Sequence, residues 1–291
     1  MKFLKLFFLA PLFFLLFLFS GTPFSGCKKI IEHDTTTIVK HDTTIIIKKD
    51  TLTVTDSLYD ITSGLVAYYN FNGGSLHDSS GYKNDITFNS ATPAPDRFGN
   101  PNNAYLFDGS ASYMQVPNSA SLNPDNITLY AIVKINGFYQ GKCHGNDILG
   151  KGTDFTNGQY LMRFNDTVNN CGGGVPDTQH EFVGAGYGDG LQLLATANAG
   201  DITAPVQTGT WYKLTYTYDG MTAKFYVNGV LKGSITKTVS FTDNQYDLFI
   251  GKHIEPNGLY PFWFNGVIDE IRIYNRALPR QAITQLVSLT K

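Results

Sequence analysis

An antiparallel two-sheet β-sandwich is the fold class this sequence predicts. Three observations predict it. The first is a meander at residues 211–233, WYKLTYTYDGMTAKFYVNGVLKG. Tyr212, Leu214, Tyr216 and Tyr218 alternate with Trp211, Lys213, Thr215 and Thr217, and Ala223, Phe225 and Val227 continue the alternation after Asp219-Gly220. A period of two is a strand with one face on a core, and Asn228-Gly229 suits a type I′ reversal in which both central residues have positive φ. The second is that some twelve segments between residues 64 and 274 read as strands, among them the three of the meander. The third is that only residues 279–289 have helical spacing, with Ile283, Leu286, Val287 and Leu289. A meander has one face to bury, so it needs a second sheet.

The chain opens on an address. Lys2 and Lys5 precede an almost wholly apolar run at 6–19, broken by Pro11 and followed by Gly21, Pro23 and Gly26. The run is short for a membrane span and has the form of a signal-peptide core. Phe24-Ser25-Gly26-Cys27 closes it and resembles the bacterial lipobox, although Phe24 replaces the usual Leu. That resemblance implies cleavage after residue 26, lipidation of Cys27 and a lipid-anchored protein of the cell envelope, with an outer membrane the expected host. The competing reading is an ordinary secretory signal with a chance Cys. Several acyl chains on one terminus anchor stably where one chain binds only marginally.

Residues 27–61 form a distinct segment. Asp34, Asp42 and Asp50 recur at equal spacing, each followed by Thr, in a stretch rich in Thr and β-branched residues. Such composition favours extended backbone and disfavours helix. The expectation is a spacer; about 25 residues fully extended would reach roughly 80 Å. The alternative is strand-mediated association through Ile45-Ile46-Ile47. Residues 62–291 then make one large all-β domain.

Composition narrows the partners. The net charge is −2 and the mature domain holds no basic block, which argues against nucleic acid. There are three Cys. Assigning Cys27 to lipid leaves Cys143 and Cys171 as a pair in an oxidising compartment, where a bridge would contribute roughly 3–4 kcal/mol. His144 and His180 lie near the two Cys and keep a zinc site as the competing reading, on a spacing that matches no standard zinc pattern.

Taking the domain in order, residues 64–71 are a first strand and 78–85, DSSGYKND, a polar loop. Strands follow at 104–109, 113–117 and 127–135, the last apolar on both faces and so expected at a sheet centre. The glycine-rich region 136–189 holds both Cys and short strands at 148–149, 160–164 and 182–187. After the meander come 246–252 and 263–274.

Four stretches carry a family resemblance. The run Phe264-Asn265-Gly266-Val267-Ile268-Asp269-Glu270-Ile271-Arg272-Ile273-Tyr274-Asn275-Arg276-Ala277-Leu278 resembles the closing motif of laminin-G-like, concanavalin A-like jelly rolls. Phe107-Asp108-Gly109 matches the family's FDG strand. Trp211, Tyr218-Asp219-Gly220 and Tyr226-Val227-Asn228-Gly229 match its hairpin, and Tyr69, Phe71, Asp78, Ser80, Gly81 and Asn84 its opening. Each motif alone is weak; four in the right order over residues 64–289 are specific. The resemblance implies a jelly roll of two curved sheets of six or seven strands and, in many members, a structural calcium ion.

Calcium takes six to eight oxygens. Asp78, Asn84 and Asp85 offer them, with Gly81 free to turn its carbonyl, and the resemblance implies that this loop meets Asp269 of the closing strand. The bland alternative is Asx-turn chemistry in the loop and a salt bridge from the carboxylates to Arg272 or Arg276. For sugar recognition, which needs aromatic platforms beside hydrogen-bonding groups, the candidates are Tyr139, His144, Asn146, Asp147, Tyr187, Tyr260 and Trp263. Their competing role is packing of sheet edges.

Catalysis has little support. Related glucanases carry E-x-D-x-x-E with alternate carboxylates on one strand face. Here Asp269 and Glu270 are adjacent, which in a regular strand sends them to opposite faces. G-x-S-x-G, H-E-x-x-H and phosphate-loop motifs are lacking. The expectation is a non-enzymatic, membrane-anchored, lectin-like module that binds a glycan. The alternatives are a protein-adhesion or envelope-structural module and a cryptic polysaccharide hydrolase or lyase.

Overall fold

The computed structural model describes residues 28–31, 44–48, 51–55, 58–139, 145–152, 160–165, 181–188, 191–198, 206–239, 241, 245–253 and 261–289. The chain divides into two units, Met1–Leu58 and Tyr59–Lys291, each taken here by itself. In the first, β1 (Lys28–Ile31), β2 (Thr44–Lys48) and β3 (Thr51–Thr55) form an antiparallel sheet in the order β1-β3-β2. The β-branched residues take the extended backbone their composition favours. The described strands lie side by side, however, so the reach of one continuous extended run does not apply to them. The signal segment and Cys27 lie outside the described residues.

In the second unit the strands are β4 (Leu65–Tyr69), β5 (Phe88–Asn89), β6 (Thr92–Ala94), β7 (Ala104–Asp108), β8 (Met114–Val116) and β9 (Ile127–Ile135). They continue with β10 (Gly145–Lys151), β11 (Tyr160–Asn165), β12 (Glu181–Gly188), β13 (Leu191–Asn198), β14 (Trp211–Tyr218) and β15 (Thr222–Val227). Then come β16 (Val230–Thr236), β17 (Leu248–Ile250), β18 (Asn265–Tyr274) and a single described α-helix, α1 (Arg280–Ser288). They form two antiparallel sheets. One has seven strands in the order β13-β12-β11-β10-β17-β8-β5; the other has eight, β16-β15-β14-β9-β18-β7-β6, with β4 also on β18. This is the antiparallel sandwich that the alternating patterns predict and the jelly roll that the resemblance implies, with one strand more in the larger sheet than the six or seven expected.

The core lies between the sheets. Ile127, Leu129, Ala131, Val133 and Ile135 of β9 face Tyr160, Met162 and Phe164 of β11, with Leu214, Tyr216 and Tyr218 of β14. β9 is central as expected, between β14 and β18. It is apolar on both faces because α1 covers the other one: Tyr130 and Ile132 pack with Leu278, Ala282, Ile283 and Leu286. The Asn228-Gly229 turn has φ of 51° and 79°, as a type I′ turn requires.

The opening and closing strands meet as predicted. β18 pairs with β4 through Ile271–Tyr69, Arg272–Tyr68 and Ile273–Ala67, and with β7 through Asn265–Asp108 to Ile268–Tyr105. Its ladder with β9 shifts register between Ile268 and Glu270. A β-bulge of this kind inserts one residue and resets the alternation.

Gly251, after β17, shows how tightly the layers approach. Its φ is +84°, and a Cβ there would lie 2.2 Å from Phe107 Cδ1. Gly251→Ala should therefore lower unfolding free energy by about 2–4 kcal/mol, joining left-handed strain to overpacking. Urea denaturation checks this; a loss near zero would mean that Phe107 can move aside.

Candidate functional site

The outer face of the seven-stranded sheet follows from the register. Met114 and Val116 point into the core, as do Leu248 and Ile250, so Gln115 and Phe249 point out. Phe88 of β5 and Phe249 of β17 pair with Gln115 from either side, which sets the three in one row across the sheet. Tyr113 and Trp263 join them. The Phe88 and Tyr113 rings stack at 4.6 Å, and Tyr113 lies 6.0 Å from Phe249 and 6.1 Å from Trp263. Phe88 is 43% exposed, and Tyr113 and Trp263 are half-buried.

Lys252 crosses this platform. Its Nζ sits 3.9 Å from the centre of the Tyr113 ring, 4.6 Å from Phe249 and 5.7 Å from Trp263. These are cation–π distances. Burial of the ammonium pulls its pKa below the ordinary lysine value. Polar groups border the rings: Gln115 Nε2 donates to Asp247 Oδ2 at 2.5 Å, and the Asn118 N–H donates to Asp247 Oδ1 at 2.8 Å.

Beside the platform is a buried ionic knot. β10 begins at Gly145, three residues before the expected strand, so Asn146 and Asp147 lie within a strand and are fully buried. Asn146 Oδ1 accepts the Tyr139 N–H at 2.7 Å, and its Nδ2 donates to the Phe164 carbonyl at 3.4 Å. Asp147 lies opposite Arg163 on β11, whose Nε is 2.8 Å from Oδ1 as a charge contact. His253 Nδ1 donates to Asp147 Oδ2 at 2.9 Å. Phe262, at φ +43°, folds over the knot: its ring is 5.3 Å from His253, 6.3 Å from Tyr139 and 4.9 Å from the Arg163 guanidinium. Gly145 leaves room for it, since a Cβ there would be 3.0 Å from the ring. The knot fixes residues 252–253 and 262–263, and so the neighbouring Lys252 and Trp263.

The predicted ligand residues thus separate. Trp263 stands on the platform. Tyr139, Asn146 and Asp147 meet in the supporting knot, the latter two sealed from solvent. Tyr187 lies on β12 with its backbone opposite Gln192. His144 and Tyr260, and the expected Cys143–Cys171 bridge, lie outside the described residues. Sequence reading missed Phe88, Tyr113, Phe249 and Lys252. The signal for Tyr113 and Phe249 was available: each is out of phase with apolar neighbours that had to be inward.

The residues expected to hold calcium fall into two settings. Asp78 Oδ1 accepts the Tyr68 and Ser80 N–H groups, and Oδ2 accepts the Asn84 N–H and the Ser80 hydroxyl. Asn84 Nδ2 donates to the Val66 carbonyl, and its Oδ1 accepts from Ser119. Gly81 makes the loop's positive-φ turn at +93°. Asp269 Oδ2 accepts from the Arg97 N–H at 3.1 Å and from Arg97 Nη1 at 2.9 Å. The ion pair expected with Arg272 or Arg276 is therefore with Arg97. Among the described residues no group of three or more His, Cys, Asp or Glu is placed to hold a metal. Donors already occupy both Asp78 oxygens and the Asn84 amide oxygen, and Asp269 is paired with Arg97, so these residues do not fit a calcium ion as arranged.

The bulge also corrects the expected orientation of the adjacent carboxylates. Asp269 bonds Arg97, and Glu270 lines the same cavity as Arg97, so both face outward from the core. Glu270 accepts from Arg272 Nε at 2.7 Å. The cavity, about 100 Å³, is closed by Tyr68, Tyr130 and Leu286 of α1.

The chain belongs to the concanavalin A-like lectin/glucanases superfamily, whose sequence signature, laminin G type 3, matches residues 108–284. A comparison with curated proteins returns no match. Among solved structures, the chain is similar to domain 4 of AbnA, a GH43 extracellular arabinanase from Geobacillus stearothermophilus, in complex with arabinotriose. The two share 21% identity over 78% of this chain and 99% of that one, at a TM-score of 0.53. It is also similar to the binding domain of botulinum neurotoxin DC in complex with SialylT, with 13% identity over 78% of this chain and a TM-score of 0.59. The binding domain of Paraclostridial mosquitocidal protein 1 matches with 15% identity over 77% of this chain and a TM-score of 0.56. The chain spans about half the length of each toxin domain, 52% in both. At these identities the likeness is one of fold.

The knot carries a pH signature. Burial pushes the Asp147 carboxyl up, but Arg163 and then His253 pull it further down, and it ends below the ordinary value. A depressed native pKa contributes stability that is present above the unfolded value of about 3.9 and is lost as pH falls towards the native one. Asp147→Asn should cost about 3–5 kcal/mol at neutral pH by removing the buried carboxylate that Arg163 and His253 share. It should also flatten the loss of stability below about pH 4. Denaturation at several pH values checks both; an unchanged acid slope would remove Asp147 from the account.

Proposed function

We propose that this chain is a non-catalytic, lectin-like module that binds a glycan on the outer face of its seven-stranded sheet and is held at a cell-envelope membrane through Cys27. The platform of Phe88, Tyr113, Phe249 and Trp263 carries the reading. Flat rings at a half-wet surface suit the C–H faces of sugars, and Gln115, Asp247 and Asn118 border them with donors and acceptors. Complexes of similarly folded domains with arabinotriose and SialylT support a ligand of the same class. Asp269 and Glu270 each engage an arginine beneath α1, which favours binding over catalysis. The Thr-rich segment after Cys27 serves as the tether.

On a glycan array the chain should bind at least one saccharide. Trp263→Ala and Tyr113→Ala should each weaken that binding by about ten-fold, on the scale of an aromatic anchor, with the melting temperature kept. Binding that survives both substitutions would place the ligand elsewhere. New reducing ends released from the bound polymer would sink the non-catalytic reading.

The anchor has its own test. In a bacterial host, the chain should partition into detergent and incorporate labelled fatty acid, and Cys27→Ser should abolish both. Label retained in the variant would exclude Cys27 as the site.

A further inference from the structure

We infer that the glycan taken by this face is acidic: a sugar bearing a carboxylate, its ring against Trp263 and its charge at the Lys252 ammonium. The inference rests on the glycan reading above and adds the ligand's charge.

Lys252 is the observation behind it. The ammonium is half-buried over three rings. Among the described residues it has no carboxylate within ion-pair distance, and the carboxylates around it are engaged. Asp247 receives Gln115 and Asn118, and Asp147 receives Arg163 and His253. Burial lowers the Lys252 pKa, and among the described residues no anion raises it.

The physical consequence is a selection rule. A sugar docking on these rings strips the remaining water from the ammonium. With a neutral sugar that desolvation is offset only by hydroxyl hydrogen bonds. With a carboxylate it is offset by charge-assisted hydrogen bonds, roughly twice as strong as neutral ones. The rings cannot supply this themselves, because they attract the cation without completing its hydrogen bonds. Lys252 is also fixed in place: Gly251 before it and His253 after it are held by the Ile148 carbonyl and by Asp147. A fixed charge discriminates better than one on a free stem.

The test uses the full chain in isothermal titration calorimetry against polygalacturonate, alginate and hyaluronan, each beside its carboxyl-reduced, neutral counterpart. At least one acidic polymer should bind, with its reduced form weaker by about ten-fold or more. Lys252→Gln should erase the preference by weakening the acidic form about ten-fold more than the reduced form. Lys252→Arg should keep the preference. Reduced and acidic forms binding alike, or Lys252→Gln retaining the preference, would overturn the inference. So would binding of neutral arabinan or galactan with none of the acidic polymers, although the glycan reading would stand. Failure of every polymer, acidic and neutral, would count against both.

Discussion

Strand β18 has one neighbour along one edge and two along the other, and the sandwich depends on how that conflict is resolved. β9 follows it from Gly266 to Tyr274. On the opposite edge β7 covers Asn265–Ile268 and β4 covers Ile271–Tyr274, so two short strands meet end to end near residues 269–270. A continuous ladder cannot serve such a junction, because its backbone groups would lose partners there. At the same level the ladder with β9 carries its bulge, which resets the alternation and turns Asp269 outward. Its carboxylate accepts both the backbone N–H and the guanidinium of Arg97. Arg97 sits in a turn that Asp96 organises by accepting the Phe98 and Asn100 N–H groups. A buried carboxylate needs such a partner, and here the partner also ties the β6–β7 connection to the closing strand.

Most of the sandwich was legible in the sequence because its strands obey a period of two. The meander, β9 and β18 emerge at nearly their observed bounds, since alternation and turn chemistry agree there. What escaped did so for physical reasons. β5 and β6 are two and three residues long, too short to show a period. The pattern marks only Ile148-Leu149 of β10, because Gly145, Asn146 and Asp147 look like a loop. They are strand residues whose polarity is answered inside by Tyr139, Phe164, Arg163 and His253. The bulge at Asp269 left no mark in the pattern, so the strict alternation assumed for Asp269 and Glu270 failed at the residue where the ladder slips.

The candidate site was less legible, for a related reason. Polar residues near glycines drew attention to Asn146 and Asp147, yet burial makes them a support. The outward-pointing rings lie in stretches that look like ordinary core: Tyr113 abuts Met114, and Phe249 lies between Leu248 and Ile250. Only the register across β5, β8 and β17 separates inward from outward positions. Trp263 was found because tryptophan near a strand end stands out by type alone. Lys252 carried no signal, since its meaning comes from three rings brought together from separate parts of the chain.

The two outer faces have different fates, and the difference decides where recognition can occur. On the eight-stranded sheet α1 lays Ala282, Ile283 and Leu286, with Leu278 just before it, on Tyr130, Ile132, Tyr226 and Tyr274. The polar groups beneath it answer one another, Glu270 with Arg272 and Arg272 with the Tyr68 hydroxyl. A polymer would have to lift the helix to reach them. On the seven-stranded sheet Phe88, Tyr113 and Trp263 keep part of their rings at the surface, beside a buried Phe249. Exposed rings on a sheet favour self-association unless something interrupts them. Lys252 does so by laying its methylene stem and cation across the platform. The group that keeps the rings from one another's copies is thus the same group that sets the charge of what they accept.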